Sequence, residues 1–204
     1  GAEPHYLNCH EQNGFIPDFD AVSEETWKRC RILYLCSPGN PTGAVIEMAT
    51  LQQLIELARE RKLVLHPHTD LEGMEIILQK APDVVVMWAH GGFNVPVETL
   101  RELLEEYPLF YIELSLREGM LDGEQRLTSQ WKQFLVDYHD RFVVGMDTYK
   151  PGRWIELPEL AAEARAWLQQ LPENVARRVA YANADGLFPS TQDALGDRTG
   201  NDGR

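Results

Sequence analysis

From residue 63 onward, short apolar runs alternate with segments in which apolar residues recur every three to four positions. The runs 63–67, 84–88, 109–114 and 142–146 are continuous in apolar character, as expected of strands buried on both faces. Helical spacing follows each one, near 72–80, 97–106, 128–138 (after a Gly-rich loop at 119–123), and 156–170 with 173–182. An earlier run, RILYLC (31–36), stops at SPGNPTG (37–43), whose prolines and glycines force a turn. Thr50 then opens a helical stretch with Leu51, Leu54, Ile55, Leu57 and Ala58 on one face. Strands alternating with helices predict an α/β fold of parallel βα repeats with about five strands. Residues 1–30 are irregular apart from a short helix, 23–30, for which Ser23 is the N-cap. The polar, Gly-rich tail 190–204 predicts disorder.

Three of these runs end in residues that bind metals. His66 and His68 close the run at 63–67, His90 follows 84–88, and Asp147 follows 142–146. In parallel α/β sheets the carboxyl ends of the strands carry the chemistry. Imidazole and carboxylate suit zinc or a similar divalent ion, which activates a bound water. The pattern therefore predicts a metal-dependent hydrolase.

Composition narrows the partners. A formal charge of −13 without a basic stripe argues against nucleic acid. No apolar run approaches the roughly 18 to 20 residues of a membrane span, and no signal-like segment opens the chain. The expectation is a cytoplasmic protein acting on a small molecule. The three cysteines, Cys9, Cys30 and Cys36, have no metal-like spacing and predict free thiols.

Two resemblances add to this. GFIPDFDAV (14–22), RILYLC and SPGNPTGAV (37–45) with the following helix resemble a segment of class I/II aminotransferases, which use pyridoxal phosphate, and in particular the succinyldiaminopimelate aminotransferase group. The resemblance implies that Asn40 binds the cofactor's ring oxygen. Where that family carries an Asp and a Tyr on the next strand, this chain reads LVLHPHTD, and the Schiff-base lysine in its usual setting is missing.

From about residue 58 to 189 the chain resembles the C-terminal half of an amidohydrolase-superfamily barrel. The carriers are ARERKLVLHPHTD, VVVMWAHGG, LFYIELS, RFVVGMDT and VAYANADGLFP. That resemblance implies metal ligands His68, His90 and Asp147, with Asp147 also taking a proton from the bound water. The barrel's strand-one His-x-His pair has no counterpart, so the site is incomplete. His66 either joins as a fourth ligand or is a second-layer residue or a partner for Asp70. Arg117, Tyr149 and Arg153 either contact substrate or are solvated surface charge and polarity. Trp131 and Trp167 read as core, and His139 as surface.

The domain expectation is an aminotransferase-like segment at 1–60, half of a TIM barrel at 61–189, and the tail. A half-barrel of five strands leaves two edges with unpaired backbone groups, through which a second copy could add. Three functions follow: a metal-dependent hydrolase with an incomplete site, a pyridoxal-phosphate-binding aminotransferase relative, or a fusion remnant without catalysis.

Overall fold

A computed structural model describes residues 3–189; the predicted disordered tail at 190–204 lies outside them. The chain divides into two compact units, Gly1–Ile112 and Glu113–Arg204. The fold is α/β, with five strands in one parallel sheet and in sequence order.

In the first unit, α1 (Glu24–Arg29) leads to β1 (Ile32–Cys36), and α2 (Met48–Arg61) leads to β2 (Val64–His68). Next come α3 (Leu71–Lys80), β3 (Val86–Trp88), α4 (Val97–Glu106) and β4 (Phe110–Glu113), whose last residue opens the second unit. Ser23 caps α1, its Oγ accepting the Thr26 N–H at 3.1 Å. Asp70 caps α3 in the same way, accepting the Gly73 N–H at 2.9 Å. A side-chain acceptor there satisfies an N–H that the first helical turn leaves without a partner. α2 begins two residues before Thr50 and ends at Lys62, whose left-handed backbone (φ 53°) turns the chain into β2.

β1 and β2 pair in parallel over five residues, from Ile32 beside Val64 to Cys36 beside His68. β3 is paired with β4 over three residues. The core of this unit gathers Leu65, Met74, Val86, Trp88, Leu100 and Phe110, all fully buried. Trp88 satisfies its buried indole by donating its N–H to the Thr69 carbonyl at 3.1 Å.

In the second unit, α5 (Ser129–Asp137), β5 (Phe142–Val143), α6 (Pro151–Ile155) and α7 (Leu157–Leu168) follow. The C-terminal helical stretch runs from α8 (Glu173–Arg177) through a π-helical turn at Arg178–Ala182 into α9 (Asn183–Leu187), five residues beyond its predicted end. Trp131, Phe134, Phe142 and Trp167 are buried, and the Phe134 and Phe142 rings meet edge-on at 5.1 Å. Both tryptophans read as core are core. His139 is half-buried rather than superficial, its Nδ1 bonding the Val136 carbonyl at 3.1 Å.

β5 is only two residues long where 142–146 was predicted. The reason is a change of partner: Leu114 N–H reaches Val143 O at 3.0 Å, but the next amide, Val144 N–H, donates to Val179 O at 3.3 Å. The backbone leaves the sheet for the C-terminal helical stretch. Among the described residues, no helix is long and apolar enough to cross a membrane.

Candidate functional site

A group of functional side chains lies in the first unit, where β1 and β2 end side by side. Successive side chains on a strand point to opposite faces. Leu35 and Pro67 therefore face one way, where with Ile46, Leu51, Ile76 and Ile77 they line a cleft of about 240 Å³ beside α2 and α3. Tyr34, Cys36, His66 and His68 face the other way.

The SPGNPTG segment is a closed loop on top of these ends. Ser37 N–H donates to the His68 carbonyl at 3.1 Å, and Ser37 Oγ accepts the Ile46 N–H at 3.0 Å. Gly39 N–H reaches Ala44 O at 2.7 Å and Gly43 N–H reaches Gly39 O at 2.6 Å. Gly43 adopts φ +74°, a conformation glycine enters without a side-chain clash. Asn40 is exposed at the tip, and its backbone N–H donates to Cys36 Sγ at 3.3 Å.

Each histidine on this face has a defined contact. His66 is buried, its Nδ1 donating to the Met87 carbonyl at 2.6 Å and its ring edge-on to Tyr34 at 4.3 Å. His68 places Nδ1 3.4 Å from Cys36 Sγ, with its ring 5.2 Å from His90 and 5.6 Å from Phe93. His90 does not close β3. It sits in a short 3-10 turn, Ala89–Gly92, with left-handed backbone at φ 59°.

The remaining predicted residues belong to the second unit. Asp147 is half-buried, four residues past the end of β5, at φ +45°. Arg153 holds that turn: Nη2 donates to Met146 O at 3.0 Å, Nε to Asp147 O at 3.4 Å, and Nη1 lies 3.5 Å from Glu156 Oε2. Tyr149 is 70% exposed, with Lys150 Nζ 5.3 Å from its ring centre. Arg117 stacks its guanidinium over Trp131 at 4.8 Å, and burial pulls its pKa down to about 10. Glu113 is buried and satisfied locally, accepting the Ser115 N–H at 2.7 Å and hydroxyl at 2.8 Å.

Comparison with known proteins points to aminotransferases. A family model for aminotransferase class I and II matches residues 1–66. An LL-diaminopimelate aminotransferase from Nitratidesulfovibrio vulgaris is 32% identical over 65 residues, covering 32% of this chain and 17% of that protein. One from Dehalococcoides mccartyi is 29% identical over 135 residues, covering 66% of this chain and 33% of that protein. The chain thus spans between a sixth and a third of the length of these relatives. A TIM-barrel protein from Bordetella bronchiseptica superimposes with a TM-score of 0.60 at 18% identity, over 78% of this chain and 57% of that one. It shares the fold and accords with a partial barrel.

These findings overturn the amidohydrolase, metal-dependent hydrolase expectation and the zinc ion that went with it. The family and the relatives that match are aminotransferases. Among the described residues, no three His, Cys, Asp or Glu side chains stand together in a group that could hold a metal. The physical reason is that a ligand-type residue after an apolar run need not end a strand. His90 and Asp147 are carried on left-handed loop positions.

Pyridoxal phosphate, the cofactor the aminotransferase match implies, needs a lysine within reach of the loop in the loop's own unit. Its lysines are Lys28 in α1, Lys62 after α2 and Lys80 at the end of α3. Each precedes a strand and so lies at the amino ends, whereas the SPGNPTG loop leaves a carboxyl end. Five strand residues separate those ends by about 16 Å, more than twice the reach of a lysine side chain. The carboxylate nearest the end of β2, Asp70, is engaged as the cap of α3. A cofactor held as a Schiff base does not fit these residues.

What sequence reasoning missed is Cys36 beside His68. The signal was present: RILYLC and LVLHPH are runs of equal length, and aligning them in parallel register puts Cys36 next to His68.

Proposed function

We propose that this chain is aminotransferase-related through its first third, and that Asn40 serves as the contact for the ring oxygen of a pyridoxal-phosphate-type ligand bound without a covalent link. The observation that supports it is the closed SPGNPTG loop, which holds Asn40 exposed at the carboxyl end of β1 within the segment matched by the aminotransferase family. The partner is accordingly a small molecule, and the proposed compartment is the cytoplasm. Since the matched relatives are LL-diaminopimelate aminotransferases, that amino acid is the substrate to assay first.

Lysine placement in the first unit favours a second reading, in which the chain itself carries out no transamination. Titration with pyridoxal phosphate, followed by fluorescence, tests both readings. The expected result is saturable binding that weakens in Asn40→Ala, with no borohydride-trapped adduct at Lys28, Lys62 or Lys80 and no turnover of LL-diaminopimelate. Binding indifferent to Asn40→Ala would overturn the assignment of the loop. Addition of a second copy at the outer strands β1 or β5 is checked by light scattering, with a doubled mass as the expected outcome.

A further inference from the structure

Three thiols in one chain occupy three different environments. Cys9 is exposed, its thiol 3.8 Å from the Leu7 carbonyl. Cys30 is half-buried, bonds the Ile32 carbonyl at 3.2 Å, and burial pushes its pKa up. Cys36 is also half-buried and lies 3.4 Å from the Pro38 carbonyl, but its sulfur also meets His68 Nδ1 at 3.4 Å and receives the Asn40 N–H at 3.3 Å. A nucleophile with a base and a hydrogen-bond donor on the same atom is the arrangement that activates cysteine elsewhere.

The pair is also held firmly. Cys36 and His68 are register partners at the last step of a five-residue parallel ladder. Ser37 N–H binds the His68 carbonyl one step further on, so the two side chains cannot drift apart along the strands. Both are half-buried, on the sheet face turned away from the cleft beside α2 and α3. A small reagent can approach that face past the exposed Tyr34.

We propose that Cys36 is a reactive thiol, activated by His68, that undergoes reversible thiolation by low-molecular-weight disulfides. The thiol gives its proton to His68 Nδ1. The sulfur attacks one sulfur of the disulfide, the S–S bond breaks, and the displaced thiolate takes the proton back from the imidazolium. One mixed disulfide and one free small thiol result, and the disulfide is the only oxidant the step requires. The Asn40 N–H stabilises the negative charge on Cys36 Sγ before attack. Thiolation does not depend on the proposed cofactor contact, because that contact uses the Asn40 side chain and this one its backbone.

The test compares the three thiols within one molecule. The intact protein is treated with a sub-stoichiometric amount of cystamine, quenched in acid, digested and mapped by mass spectrometry. Cys36 is expected to react roughly tenfold faster than Cys30, which has similar burial and no base, and at least as fast as the exposed Cys9. His68→Asn should slow Cys36 roughly tenfold against the Cys9 internal standard, leaving Cys30 unchanged. If reactivity simply follows exposure, with Cys9 well ahead and Cys36 equal to Cys30, the proposal is wrong. That ordering is read on the unmodified protein, so it decides the matter even if His68→Asn folds poorly.

Discussion

The ends of β2 and β5 look alike in sequence, an apolar run followed by a polar residue able to bind a ligand, yet they are built differently. At β2, five consecutive residues pair with β1, and His68 is the last of them. At β5 only Phe142 and Val143 are strand, and Asp147 lies four residues on, in a left-handed turn held by Arg153. A side chain inherits a fixed direction only while its backbone remains in the ladder. That is why His68 has a defined neighbour on the adjacent strand, and why Asp147 is placed by its own loop.

If ladder length sets the rigidity of each end, removing the packing beneath β2 should have the largest effect. Leu65→Ala empties a fully buried position in the middle of that strand and should cost about 3 kcal/mol. Val143→Ala in β5 removes less buried volume and should cost about 1 kcal/mol. Urea denaturation of both variants checks the order; equal losses would break the comparison.

Gly145, just past β5, comes next. A side-chain carbon there would run into the buried Glu113 carboxylate, which is already hydrogen-bonded to Ser115. Gly145→Ala should cost about 2 kcal/mol through overpacking. A thermal shift within 1 °C of the parent, a threshold of about the size expected from a neutral surface change, would mean that Glu113 is free to move.

Asn183 ties the C-terminal helical stretch to β5 and the turn before it, donating to His139 O at 2.8 Å and Phe142 O at 2.9 Å. Asn183→Ala leaves those carbonyls without this donor and should cost about 1.5 kcal/mol. Hydrogen exchange should then accelerate at Val144, whose amide bonds Val179, and stay unchanged in β2.

The smallest effect concerns acid. Asp122 accepts the backbone N–H groups of Arg126 and Glu124, which hold its carboxyl below the usual range. A lowered folded-state pKa contributes stability that is present above the unfolded value, near about 4, and fades as pH falls through the folded value. NMR titration should therefore find Asp122 still ionised where ordinary aspartates are half protonated, with the 121–127 turn loosening only below that point.

The pattern of apolar and polar positions determined the α/β architecture and the five parallel strands, while their order came from the structure. Continuous apolar runs alternating with helical spacing leave few other ways to bury every strand on both faces. It also determined the SPGNPTG turn and the Ser23 cap, because these depend on residues within a few positions of one another. Strand ends and site chemistry were decided only by tertiary structure. Whether Val144 pairs with a strand or with Val179 depends on a helical turn 35 residues away. The hydrolase expectation failed at this level, since three apolar runs with suitable last residues say nothing about where the ladder stops. Cys36 and His68 lie between these extremes: each is ordinary in sequence, and the parallel register of β1 and β2 makes them a pair.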